Sequence, residues 1–415
     1  MSTILHLVTR GTPKRPSAVE PITCTVEVIT PMFLAGADNR AKKEERREIV
    51  QEMVPSAVIA NEGLRATSVK AALRFWWRAG IDPVISVAEL ARREAVIFGS
   101  IAGGDEQEGQ GLIVRTRTLA GWDAEPPKDI GSHKFRELSY LAYGCADLHG
   151  PLRPAVKSGA RAVVDLLPRQ LEHAADVQAA LERWLLFGNL GAKSRRGWGA
   201  LSDGRWDNYE KLAAAIKKHL KPPTSAIPEW SSLHGSTVMI KDVGEDSWAH
   251  ALNELGRVFH QFRKDLGSDI IGFSPKKLAK EPGKDHDRIF NWLNGKGMRD
   301  PRSVDKVDTL PDRAGFGLPY PLQFSSMGNA KVSMEPAFEK KGGRRASPVL
   351  FRVHRCNDRW YGVVTILAGR FLPKNTQVRV TTRGRDASLP MAEIPPVLND
   401  FTAYLTANAF ARISP

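Results

Sequence analysis

The order of predicted strands and helices constrains the fold of this chain more than any other feature. Residues 22–30 alternate and are β-branched, so they predict a strand that stops at Pro31. A helix with an apolar stripe of Val69, Ala72, Leu73 and Trp76 follows, from Thr67 or Ser68 to Ala79. Further helices are predicted at 87–97 and 174–187, and strands at 112–118, 161–167 and 200–202. This order is typical of a ferredoxin-like α+β unit.

The second half of the chain restarts the same kind of pattern. A length of 415 residues favours two domains. The lysine- and proline-rich residues 217–228 predict a linker between them. After it, strands are predicted at 237–240, 348–354 and 361–367, and helices at 247–262 and 391–405. We therefore place an N-terminal domain at residues 1–220 and a C-terminal α+β domain at 229–415. Residues 40–52 predict a solvated helix or a mobile insertion, and residues 281–314 are charged and irregular.

The charge balance predicts a polyanionic partner. Sixty Lys and Arg against 46 Asp and Glu give a net charge of +14, which points to nucleic acid or an anionic membrane. The apolar runs are far shorter than a bilayer span, and the N-terminus lacks a signal-peptide core. We therefore expect nucleic acid, no membrane association and a cytoplasmic location. Cys24, Cys145 and Cys356 are too few and too scattered for a disulfide framework or a zinc site.

A glycine-rich segment at residues 188–199 is the strongest candidate for binding an anion. Its four glycines would let backbone N–H groups approach a phosphate closely. Three cations and a hydroxyl lie among them, and Trp198 could stack on a base. It is no nucleotide-binding P-loop, because it follows a helix instead of opening one. A flexible loop with solvated basic residues is the alternative. The candidate RNA-binding residues here are Gly191, Lys193, Ser194, Arg195, Arg196, Gly197 and Trp198.

The helix that begins near residue 66 supplies a second candidate surface. A helix N-terminus with Arg65, Thr67 and Ser68 can receive a phosphate. Lys70, Arg74 and Arg78 recur every four residues and so lie on one face. The alternative is an amphipathic helix whose charged face meets only water. Trp76 and Trp77 are more typical of core than of base stacking.

An ordered set of motifs resembles a known family. In the first half it comprises residues 31–38, 64–70, 73–78, Glu94 with 97–100, and 188–199. In the second half it comprises residues 316–319, 347–350 and 370–373. Together these motifs resemble the RAMP (repeat-associated mysterious protein) superfamily of CRISPR systems, and within it the two-domain end subunits of type III-B Cmr effector complexes. The resemblance spans about residues 22 to 373.

This resemblance implies tandem ferredoxin-like (RRM-like) domains with insertions. It also implies a non-catalytic subunit that assembles with other RAMP subunits around a crRNA, contacts the 3′ region of that guide and helps to capture target RNA. In the family the glycine-rich loop holds the RNA backbone, which carries over to residues 191–197 except Ala192. The helix start of the family corresponds to Arg65, Thr67 and Ser68, although Ala66 stands where a proline is usual.

An endoribonuclease acting on CRISPR or target RNA is the alternative function, because RAMP relatives include nucleases. Asp38 is the nearest match to a catalytic loop aspartate, but a lone aspartate is more often a cap or turn residue. His6 lacks an obvious partner, and the other histidines considered are scattered, at positions 133, 149, 173 and 219. No motif predicts a metal or cofactor site. A general RNA chaperone is a third possibility.

Overall fold

The computed structural model describes residues 20–34, 56–100, 111–147, 149–265, 310–324, 330–338, 343–382 and 385–415. Several features discussed above lie outside this part of the chain, namely His6, Asp38, the charged segment 40–52 and residues 281–309. Cys24, Cys145 and Cys356 are buried and carry free thiols. No helix in the described part is both long and apolar enough to cross a membrane.

The helices and strands follow one another closely along the described chain. The helices are α1 (Ser56–Glu62), α2 (Ala66–Ala79), α3 (Val87–Phe98), α4 (Arg136–Leu141), α5 (Ala174–Phe187), α6 (Tyr209–His219), α7 (Trp248–Asp265) and α8 (Val397–Ala407). The strands are β1 (Ile22–Val28), β2 (Leu112–Thr118), β3 (Ala124–Glu125), β4 (Ala146–Asp147), β5 (Gly150–Pro151), β6 (Ala155–Val156), β7 (Arg161–Pro168), β8 (Leu201–Ser202), β9 (Ser232–Gly244), β10 (Tyr320–Phe324), β11 (Ala330–Pro336), β12 (Val349–Cys356), β13 (Arg359–Ala368), β14 (Val378–Thr382), β15 (Arg385–Leu389) and β16 (Ala411–Ile413).

The first half forms a four-stranded antiparallel sheet in the order β2-β7-β1-β8. Helix α2 connects β1 to β2, and α5 connects β7 to β8. This is the strand–helix–strand–strand–helix–strand order that the sequence predicted for residues 22–202. The predicted bounds of α5 and β2 coincide with those observed, while β1 ends two residues earlier than expected.

The second half repeats this connectivity in the sheet β12-β13-β9-β16. Helix α7 connects β9 to β12, and α8 lies between β13 and β16. A further antiparallel sheet, β10-β11-β14-β15, was not predicted. Its strands come from segments inserted on either side of β12 and β13, and they enclose a small core of their own that includes Val332, Met334, Val378 and Val380. Residues 217–219 belong to α6 rather than to the predicted linker.

The two halves stack as alternating layers of sheet and helix. Leu350 and Cys356 of β12 share one core with α2, α5 and the first sheet. Val349, Phe351 and Val353 of the same strand share a second core with α7 and α8. The second sheet is therefore covered by helices on both faces, which explains why successive residues of β12 are buried instead of alternating between buried and exposed.

A charged side chain lies in the centre of this stack. Arg352 of β12 is 1% exposed, and its guanidinium donates hydrogen bonds to the carbonyl oxygens of Gly188 and Leu201. Its Nε donates to Nε2 of His354 over 3.0 Å, and that atom lies 2.9 Å from the carbonyl oxygen of Leu186. Burial lowers the pKa of Arg352 to about 9. The guanidinium thus ties the second sheet to both ends of the glycine-rich segment.

We expect Arg352→Met to lower the free energy of unfolding by about 3 kcal/mol, because two buried carbonyl oxygens lose their donor. Urea unfolding of the full chain measures this change. Arg355→Met is the matched control, since Arg355 is an exposed residue of the same strand. Equal stability of the two variants would show that the buried hydrogen bonds contribute nothing.

The neutral state of His354 should make stability depend on pH. Burial, with the charge of Arg352 beside it, keeps the pKa of His354 well below the ordinary value of 6.5. The unfolded chain therefore binds a proton below pH 6.5 that the folded chain does not, and stability falls as pH decreases through that range. Relative to wild type, His354→Gln should reduce this slope by about 1.4 kcal/mol per pH unit. Urea unfolding at several pH values, with exposed His133→Gln as control, tests it, and parallel slopes would contradict it.

Candidate nucleic-acid interface

Hydrogen bonds hold the glycine-rich segment against the residues that follow β1. The backbone N–H of Ala192 donates to the carbonyl oxygen of Phe33 over 2.8 Å, and that of Gly199 to Pro31 over 3.0 Å. The hydroxyl of Thr30 donates to the carbonyl oxygen of Gly197 over 2.7 Å. These bonds bring the segment against residues 30–33, so the alternative of a flexible, solvated loop does not describe this structure.

Close approach of the chain to itself explains two of the glycines. Gly191 and Gly199 have φ of 88° and 76°. A Cβ on Gly191 would lie 2.6 Å from the carbonyl oxygen of Phe33, and one on Gly199 would overlap the carbonyl oxygen of Leu190. Their lack of side chains therefore serves internal packing first. Gly197 is buried, with the side chain of Leu252 beside it, so its predicted contact with RNA is wrong in this conformation.

Residues 193–196 form a ridge with a cavity on each side. The N–H of Arg196 donates to the carbonyl oxygen of Lys193 over 2.7 Å, which closes a tight turn, and Lys193 itself has φ of 61°. The cavity on the α2 side, the helix-side cavity, has a volume of about 480 Å³. Its lining consists of Leu34, Arg65, Ser68, Ala71, Ala72, Phe75, Trp76, residues 188–192, Ser194, Arg195 and Leu350. The sequence-predicted helix start and loop are therefore brought together here.

The cavity on the other side, the arginine cavity, also has a volume of about 480 Å³. Its lining consists of residues 193–196, Arg263, Arg313, residues 316–320, Arg345 and Ser347. Six of these are cations: Lys193, Arg195, Arg196, Arg263, Arg313 and Arg345. Among the described residues, no carboxylate and no histidine lines it. Such a concentration of one charge sign is suited to a polyanion.

Arg195 belongs to both cavities and is held in place between them. Its NH1 donates to the carbonyl oxygen of Ser347 over 2.7 Å, and its guanidinium lies 5.3 Å from the centre of the Phe75 ring. Burial, together with the charge of Arg345, lowers its pKa to about 10. The guanidinium therefore presents a fixed, partly desolvated charge to whatever occupies either side.

Arg196 lies deeper in the arginine cavity. Its guanidinium lies 4.5 Å from the centre of the Phe259 ring, and its NH1 is buried without a hydrogen-bond partner among the described residues. Burial lowers its pKa to about 10, and the charges of Arg263 and Arg195 act in the same direction. The lowered pKa values of Arg195 and Arg196 mean that the folded chain disfavours their positive charges. A bound anion would offset this unfavourable free energy.

The predicted helix residues separate into two groups. Arg65 and Ser68 line the helix-side cavity, while Thr67 is exposed outside its lining. The helix starts at Ala66 with Arg65 in the capping position, so Thr67 and Ser68 do not cap it as predicted. Its first N–H groups donate no hydrogen bond to the capping side chain, which leaves this end suited to an anion.

The basic face of α2 makes intramolecular contacts. Nζ of Lys70 donates to the carbonyl oxygen of Leu112 over 2.9 Å. Arg74 and Arg78 pair with the carboxylate of Glu94 at 2.5 and 2.7 Å, and Glu94 is only 6% exposed. These three cations hold α3 and β2 against α2 and lie outside both cavities. For this face the sequence analysis considered contact with RNA or simple solvation. Neither alternative included the pairing with Glu94.

Trp198 cannot stack on a base in this structure. Its side chain is 0% exposed, and its ring centre lies 5.0 Å from that of Phe33 and 5.8 Å from that of Trp248. The predicted stacking role is therefore wrong. Trp198 instead anchors the loop in the second core, beside α7.

Sequence reasoning missed the three cations that the second half contributes, Arg263, Arg313 and Arg345. Arg313 precedes the motif at 316–319, and Arg345 precedes the motif at 347–350. Because both motifs were identified in the sequence, the arginines beside them could have indicated further cations of the site. Arg263 lies near the end of α7, where its NH1 donates to the hydroxyl of Tyr140 over 2.6 Å.

Solved structures with a similar fold exist. The chain is similar to Cmr1 from Pyrococcus furiosus in its apo form, with 15% identity and a TM-score of 0.50. The similarity covers 94% of this chain and 98% of the Cmr1 chain. A chain from a cryo-EM structure of the type III-B Cmr-beta bound to cognate target RNA gives 11% identity and a TM-score of 0.49, with 94% and 100% coverage. At these identities the likeness concerns the fold alone.

Sequence comparison gives a family for the first half. No curated protein matches the chain significantly. The family model of the RAMP superfamily matches residues 25–202, a span that contains the first sheet, α2, α5 and the glycine-rich segment. The motifs at 31–38, 64–70 and 188–199 fall within it. Over residues 25–202, this chain is similar to the RAMP superfamily.

Proposed function

We propose that this chain is a non-catalytic RNA-binding subunit of a type III-B CRISPR (Cmr) ribonucleoprotein. In this proposal it contacts the 3′ region of the crRNA and helps to capture target RNA in antiviral defence, next to other RAMP subunits. The observation that carries the proposal is the arginine cavity, in which six cations converge without a carboxylate. Phosphate is the group of RNA that such a cavity suits, whatever the base sequence.

Two further observations support this assignment. The RAMP family model covers the part of the chain that carries the loop, and the fold is similar to Cmr1 at a TM-score of 0.50. Both halves also show the same strand order with helices in equivalent connections. We interpret them as tandem ferredoxin-like units, with the arginine cavity built from residues of both.

The character of the two cavities favours binding over cleavage. General acid–base cleavage of RNA needs groups such as histidine or a carboxylate near the phosphate, and neither cavity has one among the described residues. His219, the buried histidine among the candidates, lies 3.1 Å from Glu182 in a different cavity. Within the described chain no group of three His, Cys, Asp or Glu side chains could hold a metal ion.

Loss of one cation from the ridge should weaken RNA binding without changing its sequence preference. Lys193→Ala should reduce affinity for single-stranded RNA roughly fourfold at about 0.15 M salt, and lower the slope of log affinity against log salt by about 0.7. Fluorescence anisotropy at several salt concentrations measures both. Lys211→Ala is the control, because it removes an exposed lysine of α6 that pairs with Asp207.

The triple change Lys193→Ala, Arg195→Ala and Arg196→Ala extends this test and should weaken binding to all sequences further. Since Arg195 and Arg196 also contact Ser347 and Phe259, its folding is checked by circular dichroism. If Lys193→Ala keeps the affinity and the salt slope of the Lys211→Ala control, the ridge is not the phosphate site.

Purified protein should leave both CRISPR-repeat RNA and guide-complementary RNA intact, because the proposed role is binding. Gel analysis of end-labelled RNAs after incubation measures this, with a sample lacking protein as control. Specific cleavage that disappears on Asp38→Ala or on replacement of a histidine would establish the endoribonuclease alternative instead. Co-purification of other RAMP subunits with a short guide RNA would exclude a general RNA chaperone.

A further inference from the structure

We propose that the helix-side cavity receives one unstacked nucleobase of the RNA whose phosphates occupy the arginine cavity. This inference rests on the proposed function and adds a second subsite to it. The two cavities share the ridge formed by residues 193–196, since both include Ser194 and Arg195 in their linings, while α2 completes one and Arg263 of α7 helps to complete the other. A nucleotide that straddles the ridge would place its phosphate on one side and its base on the other.

The walls of the helix-side cavity suit a flat, largely apolar group. Small residues leave the space open: Ala71 and Ala72 on α2, and Gly191 and Ala192 on the loop. Phe75 supplies an aromatic surface, and its ring is partly exposed. Single-stranded RNA is bound in proteins by placing splayed bases against aromatic rings and guanidinium planes. A volume of about 480 Å³ is ample for one base.

The charge distribution separates the two cavities in the way a nucleotide requires. The helix-side cavity has two cationic side chains in its lining, Arg65 and Arg195, against six in the arginine cavity. A second phosphate would therefore be better held on the arginine side. The hydroxyl of Ser68 in the helix-side lining can donate or accept a hydrogen bond. It can thus meet the polar edge of different bases without demanding one of them.

Arg195 connects the two subsites physically. Its guanidinium is fixed by the carbonyl oxygen of Ser347 at 2.7 Å and lies 5.3 Å from the centre of the Phe75 ring. A planar, delocalised cation in this position can stack on a base while its charge acts on the neighbouring phosphate. This continuity with the cation cluster is the reason for assigning the cavity to RNA rather than to an apolar side chain of a neighbouring subunit.

Filling the cavity tests the proposal without disturbing the fold. Ala71 is an exposed residue in the middle of α2 and lines the cavity, so Ala71→Leu occupies space there and keeps the helix. Ala91→Leu makes the same change at an exposed position of α3 that lies outside the lining. The probes are hexauridylate and a ribose-phosphate hexamer of the same length without bases, both fluorescently labelled.

We expect Ala71→Leu to weaken binding of hexauridylate roughly tenfold, since one stacked base is lost. The same variant should bind the base-free hexamer as wild type does, and Ala91→Leu should bind both as wild type does. Wild-type affinity of Ala71→Leu for hexauridylate would overturn the base subsite and favour a protein occupant. Equal weakening for both probes would also overturn it, because the phosphate path would then be affected. If wild type binds neither probe, the proposed function itself fails.

Discussion

The buried guanidinium of Arg352 is the constraint on which the rest of the molecule depends. It donates hydrogen bonds to the carbonyl oxygens of Gly188, the first residue of the glycine-rich segment, and Leu201, which lies two residues beyond its end. Its hydrogen-bond partners are carbonyl groups, a histidine ring and the amide oxygen of Asn189 rather than a carboxylate. Gly188 directly follows α5, where a cation is favoured by the helix dipole. The conformation of the loop in the first half is therefore fixed by a residue of the second.

This dependence explains why the candidate site lies where the halves meet. Arg352 holds the ends of the segment, while Asn189 donates to the carbonyl oxygen of Phe351 over 2.8 Å and Arg195 to that of Ser347. The ridge at 193–196 is thereby presented to the cations of α7 and of the later motifs. Burial lowers the pKa values of Arg195, Arg196 and Arg345, neighbouring cations add to the shift for Arg195 and Arg196, and the buried charges so cost stability. A cluster that destabilises the unliganded fold is better explained by an anionic ligand than by packing.

Local pattern was enough to predict the first unit and the position of the loop. Helical and alternating periodicity depend on neighbours in sequence, so β1, α2, β2, β7 and α5 were found with small errors in their bounds. Long-range contacts decided the rest. Trp198 is buried because α7, some fifty residues later in the chain, covers it, and no feature near Trp198 indicates this. The i, i+4 spacing of Arg74 and Arg78 is the same whether the cations meet water, RNA or Glu94. The inserted sheet β10-β11-β14-β15 joins short strands that are far apart in sequence, which periodicity cannot pair.

The remaining face of the first sheet shows why an RNA site would lie at the loop. Proteins of RRM type bind bases through aromatic side chains on the open face of the sheet. Strands β1, β2, β7 and β8 contain no aromatic residue. Their open face combines Arg115 and Arg117 with Asp165, which accepts a hydrogen bond from Thr23 at 2.7 Å. Without a stacking surface and with charges of both signs, this face offers little to a single strand. The aromatic and cationic groups instead meet around Arg195, where Phe75 comes from one half and Arg345 from the other.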